Sequence, residues 1–223
     1  MGKDELAICL LGRPGSGKGT QAKLIVEKFN LAYFGSGQVL RERQQASDYT
    51  GEKLKEVMEK GQLVPSFIAS KLWTDKLEEY KANSDLKGFV LDGSPRTIPE
   101  AKLLDEALVW YRWQIDKVFL VDISKETSFN RLAKRRQCVK CGRLTPYEEK
   151  YSNIKVCDQC GGEFVVRLDD NPESIRERLA IYDKEMEPIL DFYEKQGKLV
   201  KINGEQPIEA VFEDILKNLE GCL

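Results

Sequence analysis

The feature that most constrains the fold is a glycine-rich loop between an apolar run and a helical pattern. The run Leu6–Leu11 leads into Gly12-Arg13-Pro14-Gly15-Ser16-Gly17-Lys18-Gly19-Thr20, and a helical pattern follows. In this G-x-x-x-x-G-K motif, glycines let backbone N–H groups close around phosphate oxygens at a helix N-terminus. Lys18 would neutralise the β- and γ-phosphate oxygens, and Thr20 lies one position later than the usual hydroxyl because Gly19 intervenes. The loop predicts a nucleotide-binding site.

The rest of the chain alternates between strand and helix patterns. Apolar, β-branched runs occur at 32–34, 89–91, 118–121 and 199–202, and long helical patterns such as 20–29 and 174–196 separate several of them. Strands without polar alternation are typical of a parallel sheet that is covered on both faces. We therefore predict an α/β P-loop fold of three layers, with a five-stranded parallel sheet that binds its ligand at the carboxyl ends of the strands.

Two segments interrupt this alternation. Residues 35–64 have a polar, helical pattern without a strand. Residues 134–170 have only short helix or strand patterns, are rich in turns and carry four of the six cysteines. We predict a core formed by 1–34, 65–133 and 171–223, with one helical insertion at 35–64 and a second small insertion at 134–170.

The cysteines of the second insertion have metal-ligand spacing. They form two C-x-x-C pairs separated by 15 residues, Cys138 with Cys141 and Cys157 with Cys160. Four thiolates at this spacing favour a structural tetrahedral Zn²⁺ site, and Gly142, Gly161 and Gly162 relieve the turns after each pair. A redox C-x-x-C remains the alternative. Neither Cys9 nor Cys222 is assigned a role.

The composition excludes several classes of function. The chain has no histidine, so hydrolases and proteases that need an imidazole base or a histidine metal ligand are excluded. A net charge of -2, from 35 basic and 37 acidic residues, provides no global field for nucleic acid or an anionic membrane. No apolar run approaches the roughly 20 residues that span a bilayer, and the start of the chain does not predict a signal peptide. We expect a cytoplasmic protein.

The extended loop motif G-x-P-G-x-G-K-G-T resembles the adenylate kinase family. Further segments are similar to family motifs in the same order along the chain, namely 35–41, 61–64, 89–97, 167–178 and 203–207. The resemblance implies transfer of a phosphoryl group from Mg·ATP to AMP by a monomer, with 35–64 as the NMP-binding insertion. It also implies that 134–170 is a mobile zinc lid, as in many bacterial members. Such a lid would close on ATP and exclude water.

The resemblance implies roles for charged side chains around the phosphates. Asp92 would hold Mg²⁺ or its water shell, while Arg41 and Arg96 would bind the acceptor phosphate. Four arginines would act on the transferring phosphates: Arg131, Arg135, Arg167 and Arg178. We predict that the first two project from one helix face, and that Asn171 caps the helix that begins with Pro172. Phosphate oxygens need no general base, so the missing histidine does not weaken this mechanism.

The remaining binding residues are also implied by the resemblance. ATP would contact Gly15, Ser16, Gly17, Lys18, Gly19, Thr20, Leu144, Thr145 and Gln206. AMP would contact Ser36, Gln62, Leu63, Val64, Gly93, Ser94, Pro95 and Glu100, besides the arginines.

Three positions depart from the family pattern. Gln38 replaces an aspartate, Ser94 replaces a phenylalanine, and Glu100 replaces the glutamine that donates to adenine N1 and accepts from N6. An ionised carboxylate only accepts, which would suit guanine better at this one contact. Three alternatives therefore stay open: a kinase that uses GMP, UMP or CMP, a zinc-ribbon nucleic-acid binder with an ATPase core, and a non-catalytic nucleotide sensor.

Overall fold

The computed structural model describes residues 5–145 and 154–221. The start of the chain, Cys222 and residues 146–153 of the predicted lid lie outside this range. The described strands are β1 (Leu6–Leu11), β2 (Ala32–Gly35), β3 (Gly88–Asp92), β4 (Lys117–Asp122), β5 (Gln137–Cys138), β6 (Phe164–Val165) and β7 (Leu199–Asn203). The helices are α1 (Lys18–Phe29), α2 (Ser36–Arg43), α3 (Tyr49–Glu59), α4 (Ser66–Lys81), α5 (Ile98–Trp110), α6 (Lys125–Lys134), α7 (Pro172–Lys195) and α8 (Ile208–Leu219).

A five-stranded parallel sheet in the order β2-β3-β1-β4-β7 forms the centre of the molecule. Its strands correspond to the five predicted runs, so the predicted fold class is confirmed. All six residues of β1 are buried, because helices cover both faces of the sheet. Cys9 and Leu11 face a core that includes residues of α4, α5 and α7. Ile8 and Leu10 face the opposite core, with residues of α1 and α8.

The parallel register brings separate segments to one edge of the sheet. Leu10 of β1 pairs with Asp92 of β3, and Gly35 of β2 pairs with the same aspartate. The glycine-rich loop, the segment after β3 and the start of α2 therefore lie side by side at the carboxyl ends of the strands.

The two interrupting segments have small structures of their own. Helices α2 and α3 enclose an apolar cluster of Leu40, Leu54 and Val64. Strands β5 and β6 form a separate antiparallel pair, followed by a 3₁₀ turn at Leu168–Asp170. Across the described ranges, no helix combines the length and the apolar character needed to cross a bilayer.

Helix ends agree with the sequence in one place and differ in another. The Asn171 side chain accepts a hydrogen bond from the Ser174 N–H at 2.9 Å and Pro172 is the first residue of α7, as predicted. Helix α6, however, ends at Lys134, and Arg135 lies just beyond it in extended backbone. The prediction that Arg131 and Arg135 share a helix face was therefore wrong, because the chain leaves the helix between them.

Candidate active site and metal cluster

The glycine-rich loop has the backbone that its sequence predicted. Gly12, Gly15 and Gly17 all have φ between +82° and +147°, where only glycine is unstrained. A Cβ on Gly12 would lie 2.4 Å from the carbonyl oxygen of Val121, so the loop passes directly over β4. Gly17 is the N-cap of α1 without any side-chain cap, and the first N–H groups of the helix are open to an anion.

The extra glycine of the motif allows a carboxylate to approach α1. Asp92 ends β3, and its Oδ2 accepts a 2.9 Å hydrogen bond from the Tyr33 hydroxyl. A Cβ on Gly19 would lie 2.9 Å from the same oxygen. Gly19 therefore permits the close approach of Asp92 to the loop. Tyr33 was not predicted from the sequence, although it lies in the β2 run.

Lys18 carries a charge that its surroundings oppose. Burial lowers its pKa from the usual value to about 8; the charge of Asp92 works in the other direction, while Arg96 and Arg178 lower the pKa further. Its Nζ donates to the Arg13 carbonyl at 3.3 Å. A phosphate at this position would raise the Lys18 pKa again, because an adjacent anion favours the charged form.

Four residues meet after β3, namely Ser36, Gly93, Arg96 and Lys18. Ser36 Oγ donates to the carbonyl oxygen of Gly93 at 2.9 Å, and Arg96 donates to the same oxygen at 2.8 Å and to Ser36 Oγ at 2.8 Å. Gly93 has a φ of 74°, and a Cβ there would lie 3.1 Å from Ser36 Oγ and 3.5 Å from Lys18 Cε. These contacts form a crossing point that joins the start of α2 to the glycine-rich loop, and Pro95 follows it in the turn to α5.

The arginines of distant segments converge near this crossing point. Burial lowers the pKa of four of them, and the charge of a fifth, Arg167, lowers each of these pKa values further; the four are Arg41, Arg96, Arg135 and Arg178. For Arg41 the pKa falls to about 9. Mutual repulsion among buried cations is relieved by an anion with several charges, so the cluster favours a polyphosphate ligand.

Two aspartates hold the cluster together. The side chain of Asp170 is fully buried and accepts hydrogen bonds from Arg135 Nε at 2.7 Å and from Arg178 at 3.0 Å. Asp169 pairs with Arg167 at 2.8 Å; although burial opposes it, the charges of Arg167 and Arg178 hold the Asp169 pKa down at about 2. The sequence analysis gave these two aspartates no role, although their adjacency to Arg167 was an available signal.

The predicted ATP contacts outside the loop lie around α6. Arg131 donates to the Gly204 carbonyl oxygen at 3.1 Å, which ties α6 to the loop after β7. In that loop the Gln206 amide donates to Asp214 at 2.7 Å. Thr145 pairs with Arg136 through its backbone N–H at 2.9 Å, and Leu144 beside it is exposed.

The segment predicted to line the AMP base is partly buried. Val64 belongs to the apolar cluster of α2 and α3, Leu63 is half-buried and Gln62 is exposed. Before them, Gly61 has a φ of 71°, and a Cβ there would lie 2.5 Å from the Ser174 carbonyl oxygen of α7. The segment is thus held close to the arginine-bearing helix.

The departures from the family pattern differ in setting. Gln38 is exposed on α2 and its amide donates to Glu42 at 2.9 Å. Ser94 and Glu100 are both buried, and Glu100 Oε2 accepts from the Arg96 N–H at 2.8 Å. Burial raises the pKa of Glu100 above its usual value, although the Arg96 N–H and charge oppose this.

The four predicted metal ligands come together. Their sulfur atoms all lie within 4.8 Å of one another, with Cys138 and Cys160 at 3.4 Å and Cys141 and Cys157 at 3.7 Å. Tetrahedral Zn²⁺ with bonds of about 2.3 Å separates its ligands by about 3.8 Å, so the cluster fits this ion.

The surroundings of the sulfurs also suit a metal. Gly142 and Gly161 turn with φ of 73° and 70°, as predicted, and a Cβ on Gly162 would lie 2.6 Å from Cys138 Sγ. Burial opposes ionisation of Cys138, but the backbone N–H groups of Cys141 and Lys140 lower its pKa to about 6. A thiolate is the form that binds metal.

Comparison with known proteins agrees with this geometry. A sequence profile described as adenylate kinase matches residues 10–198. The adenylate kinase of Methanothrix thermoacetophila is 42% identical over 215 residues, which cover 95% of this chain and 97% of the relative. The adenylate kinases of Caldanaerobacter subterraneus subsp. tengcongensis and Clostridium acetobutylicum are each 40% identical, over 97% and 94% of this chain and 97% of each relative.

Proposed function

Because this chain belongs to the adenylate kinase family, we propose that it transfers a phosphoryl group reversibly between Mg·ATP and AMP to give two molecules of ADP. The observation that carries the proposal is the cluster of partly buried cations at the carboxyl ends of the strands. The pKa values of these cations are lowered by burial and by the charges of neighbouring cations. Such a cluster fits the combined negative charge of two nucleotides whose phosphates meet there.

The chemistry requires alignment and charge neutralisation. The attacking oxygen of AMP is already anionic near neutral pH, so no side chain has to remove a proton from it. We propose that Lys18, Arg131 and Arg135 bind the donor phosphates, while the N–H groups of Gly15 to Thr20 enclose them. Leu144, Thr145 and Gln206 would contact the rest of ATP.

Asp92 is the proposed partner of the magnesium ion. Its carboxylate lies beside the loop at the end of β3, and carboxylate oxygens are the protein ligands that Mg²⁺ prefers. When bound with ATP, Mg²⁺ supplies neutralisation of the β- and γ-phosphates.

The acceptor phosphate is assigned to the opposite side of the cluster. We propose that Arg41 and Arg96 bind it, and that Arg167 and Arg178 lie over the transferring group, held there by Asp169 and Asp170. Ser36, Gly93, Ser94 and Pro95 would form the wall of this pocket. Gln62, Leu63, Val64 and Glu100 would contact the base.

We further propose that the chain divides into a core (1–34, 65–133, 171–223), an NMP-binding insertion (35–64) and a zinc lid (134–170). The four thiolates would hold a structural Zn²⁺, which contributes folding energy and no reaction step. We propose a cytoplasmic monomer that acts on nucleotides. Its net charge of -2 provides no global basic field for nucleic acid or an anionic membrane.

The test is to incubate the purified protein with ADP and Mg²⁺ and to quantify ATP and AMP. Arg178→Ala is expected to lower the rate by roughly 10³-fold, because it removes a cation from the transition state. Arg176→Ala is the matched control, since this arginine is exposed two residues away on α7 and is expected to retain the rate. Absence of ADP interconversion by the unmodified protein would refute the proposal and favour a nucleotide sensor.

A parallel assay with AMP, GMP, UMP and CMP at equal concentration tests the acceptor. We expect AMP to give the highest rate. A higher rate with another acceptor would assign the protein to a different monophosphate specificity, while leaving the kinase mechanism intact.

A further inference from the structure

Three buried polar side chains at the proposed acceptor pocket have unused hydrogen-bonding capacity. Glu100, Ser94 and Trp73 are each at most 2% exposed. The Ser94 and Trp73 side chains lie close enough to the Glu100 carboxyl to favour its charged form. Even so, Glu100 Oε1, Ser94 Oγ and Trp73 Nε1 each lack a hydrogen-bond partner of good geometry. Unpaired polar atoms in a buried site cost free energy unless a ligand pairs with them.

The other oxygen of Glu100 is fixed in place. Oε2 accepts from the Arg96 N–H at 2.8 Å, and the Glu100 N–H donates to Thr97 Oγ1 at 3.2 Å at the start of α5. The carboxyl is therefore tied to the same turn that carries Gly93 and Arg96. One oxygen of the carboxyl is anchored by this backbone hydrogen bond, and the other is buried without a hydrogen-bond partner of good geometry.

The charged and titratable groups around Glu100 come from several elements. Arg96, in the turn before α5, favours the ionised carboxylate. Cys9 of β1 and Tyr193 of α7 are neutral groups whose pKa values are raised, first by burial and in part by the Glu100 charge. Trp73 of α4 adds an uncharged N–H donor. Burial dominates this balance and disfavours the ionised form.

The base of AMP imposes a specific requirement at this position. Adenine offers an acceptor at N1 and a donor at N6, so its partner must donate once and accept once. A carboxylate accepts only, whereas a carboxylic acid has one O–H donor and one carbonyl acceptor. A buried carboxyl can be kept neutral near pH 7 for such a donating role.

We infer that Glu100 binds the adenine of AMP as a neutral carboxylic acid: the hydroxyl at Oε1 takes the place of a glutamine amide's donor, and Oε2, a carbonyl oxygen that can accept a second hydrogen bond besides the one from the Arg96 N–H, takes the place of its acceptor. The inference rests on the proposed adenylate kinase function and makes Glu100 a specificity-determining residue. Its consequence is that AMP binding requires a proton that a glutamine in this position would not require.

Calorimetry of AMP binding in buffers with different ionisation enthalpies measures this proton directly. Above the pKa of Glu100, the unmodified protein is expected to take up as much as one proton more per bound AMP than Glu100→Gln. The comparison cancels the titration of the AMP phosphate, which both proteins share. Glu106→Gln, an exposed position on the same helix, is the matched control and is expected to behave like the unmodified protein. Equal proton uptake by the unmodified protein and Glu100→Gln would overturn the inference.

A kinetic experiment provides an independent arm. The ratio of kcat/KM for AMP between the unmodified protein and Glu100→Gln is expected to fall about tenfold per pH unit above the Glu100 pKa. Trp73→Phe removes a donor that favours the charged form, so the midpoint should move to higher pH. A ratio that does not change with pH would overturn the inference while leaving the proposed function intact. Absence of AMP turnover by the unmodified protein at every pH would instead refute the proposed function.

Discussion

The central sheet and the cysteine-bearing segment are stabilised in different ways. Every residue of β1 is buried, and apolar clusters lie on both faces of the sheet. Among the described residues between 136 and 166, by contrast, only Cys138, Cys157 and Gly162 are buried, while Val139, Val156 and Val165 are exposed. The sheet folds through apolar burial, whereas the described part of the proposed lid has almost no apolar core, and we expect its fold to depend on the proposed metal site. We therefore expect the proposed lid to move without disturbing the sheet.

The largest expected effect separates activity from stability in the core. Lys18→Ala should lower phosphoryl transfer by roughly 10³-fold or more, because the cation at the donor phosphates is lost. The melting temperature should change little, since burial already disfavours the Lys18 charge. Steady-state kinetics with calorimetric melting measures both quantities, and Lys23→Ala, exposed on the same helix, is the control. A collapse of the fold in Lys18→Ala would contradict the prediction.

The next effect concerns the lid. Cys157→Ser should release the bound zinc and lower the melting temperature, because structural zinc contributes on the order of 10 kcal/mol or more to small metal-binding segments. Metal content by mass spectrometry and thermal melting provide the measurement. Cys9→Ala, at a buried cysteine of β1, should retain the metal. An unchanged zinc content in Cys157→Ser would exclude this cysteine as a ligand.

A substitution in the apolar core should lower the stability of the fold without releasing zinc. Leu104 of α5 is fully buried against the sheet, so Leu104→Ala should cost about 2–5 kcal/mol of unfolding free energy and should leave the zinc content unchanged. Denaturant unfolding measures this cost. Leu103→Ala, which is 43% exposed on the same helix, should cost much less. Zinc loss in Leu104→Ala would show that sheet and lid are not independent.

The smallest expected effect is the pH dependence of kcat/KM for ATP. Since the Lys18 pKa is lowered to about 8, the free protein loses this proton as the pH rises through 8. The charged amine is the form that binds phosphate, so kcat/KM for ATP should fall by up to about tenfold per pH unit above that value. The value of kcat at saturating ATP should fall less, because bound phosphates favour the charged amine. A kcat/KM that stays constant to pH 9.5 would contradict the lowered pKa.

Much of the fold and part of the site could be predicted from local sequence. The five strands were found because each lies in a short, mainly apolar run, and the cysteine cluster because two C-x-x-C pairs suit one ion. The end of α6 before Arg135 was missed, because nothing in the local pattern distinguishes this arginine from a helical residue. Tyr33 was missed because its partner Asp92 is distant in sequence.

The sequence by itself determined which residue types were available: a phosphate loop, four thiols, a set of arginines and no histidine. Only the tertiary structure decided how these groups affect one another. Asp169 and Asp170 became the holders of three arginines, Gly19 became the place where Asp92 approaches α1, and Glu100 became a buried acid. The physical reason is that charge, desolvation and close contact depend on distances across the fold, which local pattern does not contain.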